Sequence, residues 1–335
     1  EKREVKYEDD AGRGLFDADG DGDLDVYIAS GGSENPPGSK VYADHFYIND
    51  GKGNFKEYPS AFPINLTAKS CVKAIDFDND GDLDLFVGGR VLPGSYPSPV
   101  SSYIYRNDSK DGKIIFTDVT KEVAPALQNI GMVSDALWTD IDNDGMPDLV
   151  VVGEWMPVTI LKNNKGKFSV VSSPLQNTTG WWNSITAADI DNDGDMDYVL
   201  GNFGTNGFLK PSEQFLIRAY AKDFDNNGSF DALFSTYLPS GIDETIKEYP
   251  IASRDELIKE MSMMKERFPN YASYARAEMK NIFSEQELTG ALQLSVNSFQ
   301  SCWIENRENF QFVLHTLPPQ AQWAPLYGMV TNDFD

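Results

Sequence analysis

The sequence predicts an all-β fold in which one four-stranded unit recurs along 335 residues. Three observations indicate this. A nine-residue loop rich in aspartate occurs five times, a short apolar run follows each copy, and a hairpin sequence with a Gly/Asn turn separates the first copies. Four strands in each repeat of roughly 50–60 residues are typical of a β-propeller, whose blades bury their faces only against one another.

The recurring loop has the pattern D-x-D-x-D-G-x-x-D, as in "DFDNDGDLD" at 76–84. Carboxylates at this density repel one another unless a multivalent cation lies among them. Side-chain oxygens at positions 1, 3, 5 and 9 and a backbone carbonyl at position 7 would form a cage, with glycine at position 6 permitting the sharp turn. Ligation by oxygen alone favours calcium over zinc.

Five complete copies predict five calcium sites. Their predicted ligand residues are Asp17, Asp19, Asp21, Asp23 and Asp25; Asp76, Asp78, Asp80, Asp82 and Asp84; Asp140, Asp142, Asp144, Met146 and Asp148; Asp189, Asp191, Asp193, Asp195 and Asp197; and Asp223, Asp225, Asn227, Ser229 and Asp231. We expect weaker binding in the fifth loop because Asn227 removes one charge. A sixth copy begins at Asp333 and Asp335.

Two simpler interpretations of these loops fit less well. A single loop could be a solvated Asx turn, but such turns need neither the alternation of aspartates nor the ninth aspartate. An EF-hand needs an acidic residue at position 12, which here is apolar in all five copies. The runs "VYIAS", "LFVGG", "LVVVG", "YVLGN" and "ALFST" that follow the loops predict buried strands instead.

The spacing of the loops sets the predicted architecture. The first aspartates of the first four loops lie 59, 64 and 49 residues apart. Hairpins are predicted between them at 46–58, 103–119 and 159–171, and another at 302–317. The step from Asp189 to Asp223 is only 34 residues. The fifth loop therefore either opens a fresh blade or replaces a hairpin turn, and both alternatives stay open.

A helical pattern interrupts the strands between 253 and 292. Leu257, Met261, Met264 and Phe268 fall on one stripe, and Ser253 with Glu256 fits a capping box. We therefore divide the chain into propeller blades at 1–252, a small α-helical insertion at 253–292 and continued propeller at 293–335. The helices either pack on the propeller as padding or present a surface to a partner.

The composition excludes several functions and favours an extracellular location. A formal net charge of −24 argues against nucleic acid and anionic membrane surfaces as partners. Weak calcium sites fill reliably outside the cytoplasm. No transmembrane run is visible, and a lipid anchor upstream of Glu1 is compatible with the sequence. Cys71 and Cys302 are too few for a disulfide framework, so we favour buried thiols, although pairing between them stays open.

The chain resembles a known family. The aspartate loops are similar to those of FG-GAP/VCBS-type repeat proteins, which are calcium-binding β-propellers. The stretches "GEWMPV" at 153–158, "GWWNSI" at 180–185 and "YGMVTNDFD" at 327–335 resemble bacterial surface relatives of cartilage acidic protein, in which an ASPIC/UnbV domain can follow. This resemblance implies calcium at the loop aspartates and seven blades in the complete propeller. The Phe-Gly and Gly-Ala-Pro halves of the repeat are eroded here.

No catalytic residue is predicted, because no nucleophile elbow, H-E-x-x-H helix or phosphate-binding glycine loop occurs. We expect a calcium-stabilised recognition scaffold, extracellular or on the bacterial outer-membrane surface, that could be a subunit of an outer-membrane complex. Its partner would be a protein or a glycan, bound on one propeller face or on the helical insertion. The alternative is a secreted propeller hydrolase or lyase that acts on polysaccharide in the central channel.

Overall fold

The structure, a computed structural model, describes residues 12–240, 245–307 and 310–332. Within these ranges the strands are β1 (Gly12–Phe16), β2 (Asp25–Ala29), β3 (His45–Asn49), β4 (Phe55–Glu57), β5 (Ala68–Ile75), β6 (Asp84–Val91), β7 (Tyr103–Asn107), β8 (Phe116–Asp118), β9 (Met132–Thr139), β10 (Asp148–Pro157), β11 (Thr159–Asn163), β12 (Phe168–Val170), β13 (Thr179–Trp181), β14 (Ser184–Ala188), β15 (Asp197–Gly201), β16 (Ile217–Lys222), β17 (Asp231–Pro239), β18 (Ile246–Pro250), β19 (Leu292–Val296), β20 (Cys302–Asn306) and β21 (Phe312–Thr316).

Helices are few and short in the described part of the chain. The α-helices are α1 (Thr120–Val123), α2 (Arg254–Glu260), α3 (Met264–Arg267), α4 (Tyr271–Tyr274) and α5 (Met279–Ile282). The 3-10 helices are Lys40–Tyr42, Pro125–Leu127, Pro174–Asn177 and Pro319–Gln322. The predicted all-β class is confirmed.

The strands form antiparallel sheets that repeat one plan. The first three sheets follow the chain directly, in the orders β1-β2-β3-β4, β5-β6-β7-β8 and β9-β10-β11-β12, with β13 added beside β10. In each sheet the aspartate loop joins the first strand to the second, and a hairpin joins the third to the fourth. The described residues contain five sheets, and the predicted total of seven blades stays a prediction.

Neighbouring sheets pack against one another, which explains the apolar second strands. The stretch 84–89 of β6 is buried on both of its faces, because the second sheet lies between the first and the third. Three cores fill the spaces between successive sheets: Phe16, Tyr27, Leu85, Tyr105 and Phe116; Phe77, Phe86, Ala136, Leu149 and Leu161; and Val150, Val152, Ile185, Leu200 and Ile304. Burial of these apolar side chains is the main force that holds the repeats together.

The fourth sheet is divided by a long insertion. Its strand order is β14-β15-β20-β21, so residues 202–301 depart from it after β15 and return at β20. Within the insertion β16–β19 form a separate sheet in the order β18-β17-β16-β19, and the fifth aspartate loop joins β16 to β17. The structure thus places the loop at 223–231 at the start of a new sheet rather than in a hairpin of the fourth.

The helices of the insertion pack on this inserted sheet. Ser253 and Glu256 form the predicted capping box at the start of α2. The predicted stripe is buried against Tyr220 and Leu233 of the inserted sheet; its members are Leu257, Met261, Met264 and Phe268. The division of the chain at 252 and 292 stays a prediction.

Cys71 and Cys302 are both buried free thiols. No helix in the described ranges has the length and hydropathy of a membrane span.

Candidate metal centres

Each aspartate loop brings three carboxylates together. They come from positions 1, 3 and 9, and one oxygen from each lies within 4.8 Å of the other two. Position 1 directly follows the first strand of a sheet, and position 9 opens the second strand, so the strand pairing itself assembles the triad. The five triads are Asp17, Asp19 and Asp25; Asp76, Asp78 and Asp84; Asp140, Asp142 and Asp148; Asp189, Asp191 and Asp197; and Asp223, Asp225 and Asp231.

Backbone amides hold the loop in its turn, as the second loop illustrates. The N–H of Gly81 donates to Oδ2 of Asp76 at 2.9 Å. Asn79 has a φ of 60° and Gly81 a φ of 101°, a region that glycine occupies without strain. Oδ2 of Asp84 accepts from the N–H of Phe77 at 3.2 Å. The equivalent bonds recur in the other four loops.

The predicted ligands at positions 5 and 7 lie outside the triads. Oδ1 of Asp80, at position 5, accepts from the N–H of Asp82 at 3.0 Å, and the same bond recurs in the other loops. Neither position belongs to the triads. Their residues are Asp21 and Asp23, Asp80 and Asp82, Asp144 and Met146, Asp193 and Asp195, and Asn227 and Ser229. Their ligation stays a prediction, and the predicted residues Asp333 and Asp335 lie outside the described residues.

The chemistry of the triads fits a bound cation. Oδ1 of Asp78, of Asp142 and of Asp225 is buried and has no hydrogen-bond partner. A buried carboxylate oxygen without a partner is costly, and a metal ion is the partner that three converging carboxylates would satisfy. Burial raises the pKa of Asp84 to about 7 and that of Asp148 to about 6. The triads are therefore positioned to hold a metal ion, and their all-oxygen ligands are consistent with calcium.

Asparagines at the ends of third strands connect consecutive loops. The N–H of Asn163 donates to Oδ1 of Asp148 at 2.7 Å, and its Nδ2 donates to the carbonyl of Phe77 in the preceding loop at 2.7 Å. Asn107 makes the same pair of bonds to Asp84 and Ala18. Asn306 makes them to Asp197 and Ile141. Each of these asparagines thus fixes the ninth aspartate of its own loop and ties it to the neighbouring sheet.

The first sheet offers an internal comparison for this arrangement. The N–H of Asn49 donates to Oδ1 of Asp25 at 2.9 Å, but its Nδ2 donates to the carbonyl of Leu24, within the same loop. The sequence alone predicts no role for these asparagines. Their signal was the recurrence of asparagine immediately before each hairpin turn.

Comparison with known families agrees with this geometry. A family model described as an FG-GAP-like repeat matches residues 17–87 and 140–200. These two stretches are therefore similar to FG-GAP-like repeats. Each match starts at the first aspartate of one loop and ends within the strand that directly follows the next loop. The two matches together therefore cover four of the five triads. The loop at 223–231, in the inserted sheet, lies outside the matches. The more specific resemblance to ASPIC/UnbV-associated proteins is not shown by this match.

Two further comparisons add little to the family match. No curated protein matches the sequence. Among solved structures, the Vibrio cholerae biofilm matrix protein Bap1 aligns with 90% of this chain and 54% of its own, at 11% identity and a TM-score of 0.29. The chain therefore spans about half the length of that protein.

Proposed function

We propose that the chain is the calcium-stabilised β-propeller part of an extracellular or outer-membrane surface protein that recognises a protein or glycan partner. The observation that carries the proposal is the repetition of a carboxylate triad, with orphaned buried oxygens in three copies, at the same point of successive sheets. A bound ion at each triad would fix the junction between two strands. Its binding energy would then contribute directly to folding.

Contacts made by serines of the first strands support a radial arrangement of the sheets. The hydroxyl of Ser70 donates to the carbonyl of Val133 in the next sheet at 2.6 Å. The hydroxyl of Ser134 donates to the carbonyl of Trp182 at 2.6 Å, and the hydroxyl of Ser184 donates to the carbonyl of Leu326 at 2.7 Å. A serine in the first strand of the second, third and fourth sheets thus donates to a backbone carbonyl of the segment beside it, as expected where blades meet around an axis. The total of seven blades rests on the family resemblance.

An extracellular location is supported by the repeats and by the charge. Calcium is abundant enough outside the cytoplasm to fill weak all-oxygen sites. The formal net charge of −24 would fall to about −14 with five divalent ions bound, which would relieve much of the self-repulsion. We propose a bacterial surface protein related to cartilage acidic protein, either alone or as a subunit of an outer-membrane complex.

The inserted sheet and its helices are the proposed partner surface. An insertion on a repeated scaffold can vary without disturbing the core, so specificity concentrates there. Among the described residues of the insertion, four large apolar side chains are exposed, namely Phe208 at 75%, Tyr271 at 64%, Ile246 at 46% and Ile251 at 39%. The guanidinium of Arg254 lies over the Tyr271 ring, 5.2 Å from its centroid. A ring supported in this way is a suitable anchor for a partner.

Affinity capture from a native cell-surface extract tests this proposal. Removing the helices would expose the buried stripe of Leu257 and Met261, so point variants are preferable to a deletion. We expect one stoichiometric protein or one glycan class to be retained in calcium, lost in chelator and weakened by Tyr271→Ser. The control Leu15→Ser alters an exposed apolar residue of the first sheet and should leave retention unchanged.

Two results would contradict the proposal. If the partner is still retained in chelator, its recognition does not depend on calcium. Turnover of a polysaccharide without stable retention would favour the secreted hydrolase or lyase and would direct attention to the central channel.

A further inference from the structure

The third loop differs from its neighbours in charge. The first, second and fourth loops carry five aspartates in nine positions, whereas Met146 replaces one of them in the third. The ammonium of Lys162 also contacts two of the remaining carboxylates, those of Asp142 and Asp144, with a separation of 3.0 Å from Oδ2 of Asp144. Asp142 belongs to the triad and carries one of the orphaned oxygens. A formal charge of −5 in the neighbouring loops is thus about −3 here.

The fold directs Lys162 into this loop. The residue lies on β11 directly before Asn163, whose N–H is bonded to the triad member Asp148. Its side chain is only 23% exposed, and its ammonium lies 5.4 Å from the centroid of the Phe310 ring. The lysine is therefore held at the triad by its strand and by an aromatic contact.

The residue at the position of Lys162 differs in each of the other three complete repeats. The residue before the asparagine is Ile48 in the first sheet and Arg106 in the second. The guanidinium of Arg106 pairs with Asp108 at 2.8 Å, outside the loop. In the fourth sheet Glu305 occupies the position and pairs with Arg307 and His315. Among the ion pairs of the described residues, the third loop is the one whose triad has a basic partner.

We infer that Lys162 is a tethered competitor for the metal ion of the third loop, so that calcium must displace its ammonium before binding there. This rests on the proposed binding of calcium by the loops. An ammonium and a divalent cation cannot share one set of carboxylates without strong repulsion at these distances. The third site would therefore fill at a higher calcium concentration than the second and fourth. Without calcium, the lysine would neutralise part of the loop's charge.

Hydrogen exchange at defined free calcium, followed by mass spectrometry, tests the inference loop by loop. The amides of Gly145 and Met146 donate to Asp140 and Asp144, so their protection reports the third loop directly. We expect the third loop to become protected at a higher calcium concentration than the second and fourth. Lys162→Met should lower that midpoint by about tenfold or more and leave the other loops unchanged.

Two matched variants control for indirect effects. Ile48→Lys places the same cation at the equivalent position of the first loop and should raise its midpoint by about tenfold. Arg106→Met removes a cation that pairs outside its loop, so the midpoint of the second loop should move by less than about threefold. Ile48→Lys keeps the inference testable if Lys162→Met folds poorly.

Thermal unfolding separates competition from a structural role. If Lys162 competes with calcium, Lys162→Met should lower the melting temperature in chelator and raise it at saturating calcium. A lowered melting temperature in both conditions would indicate a structural role and overturn the inference. So would a third loop that titrates together with the second and fourth. Exchange that is independent of calcium in every loop would overturn the proposed function as well.

Discussion

Replacing Asn163 with alanine should destabilise the contact between the second and third sheets. The side chain is fully buried, and its Nδ2 donates to the carbonyls of Phe77 at 2.7 Å and Pro147 at 3.0 Å. Its Oδ1 accepts from the N–H of Gly166 at 2.8 Å. Alanine removes all three bonds but keeps the backbone N–H that binds Asp148.

The magnitude follows from these bonds. Each buried hydrogen bond contributes about 1 kcal/mol net, and an orphaned buried carbonyl or amide adds a desolvation cost. We therefore expect Asn163→Ala to lower the free energy of unfolding by roughly 3–4 kcal/mol at saturating calcium. The triad stays intact, so calcium affinity of the third loop should change much less.

Urea unfolding measures this loss, with Asn49→Ala as the matched control. Asn49 occupies the same position in the first sheet, but its side chain is partly exposed, and its bonds to the carbonyl of Leu24 and from the N–H of Gly53 stay within that sheet and are longer, at 3.2 Å each. Its replacement should therefore lower the free energy of unfolding by only about 1 kcal/mol. The role of Asn163 in joining sheets would be refuted if both variants lost the same free energy of unfolding while the dependence of that free energy on urea concentration stayed unchanged.

Three further predictions concern pH, a buried ion pair and a close backbone contact. Because burial raises the pKa of Asp84 to about 7, the affinity of the second loop should fall as pH drops below that value, which calcium titrations at several pH values would measure. In chelator, the raised pKa of Asp84 contributes to the free energy of unfolding in full below about pH 4. This contribution is lost as pH rises through 7. Lys69→Met breaks the buried ion pair in which Nζ of Lys69 lies 3.0 Å from Oδ1 of Asp44. In urea titrations this variant should lower the free energy of unfolding by about 3–5 kcal/mol, and a loss below about 1 kcal/mol would contradict the prediction. Gly153→Ala would place a Cβ 2.1 Å from the carbonyl oxygen of Met132 and should lower the free energy of unfolding by about 2 kcal/mol or more, so an unchanged urea midpoint would refute it.

The sequence predicted the local features of the fold well. The aspartate loop is a contiguous nine-residue pattern, and the apolar run after it must be a strand buried on both faces, as 84–89 is. The stripe of Leu257 and Met261 has helical spacing and is buried as expected. The division of the fourth sheet could not be predicted in the same way. The pairing of β15 with β20 joins Leu200 to Cys302, and no local periodicity reports a contact across that distance.

The candidate site was predicted in part. Positions 1, 3 and 9 of each loop come together because the turn and the strand pairing are encoded locally. The bridging role of Asn163 depends on Phe77 in the preceding sheet, so it emerges only when the sheets pack. The contact of Lys162 with Asp142 depends in turn on the pairing of β10 with β11. Long-range packing therefore decided the details that a repeated motif could not show.

Native mass spectrometry of the chain at saturating calcium tests the central claim most directly. We expect five calcium ions per chain, one for each triad, and the loss of one ion in the variant Asp78→Asn. Excess magnesium should not replace them, because magnesium demands strict octahedral geometry and is usually bound by only one or two carboxylates. A chain that binds no calcium, or that keeps every ion after Asp78→Asn, would contradict a metal-stabilised repeat.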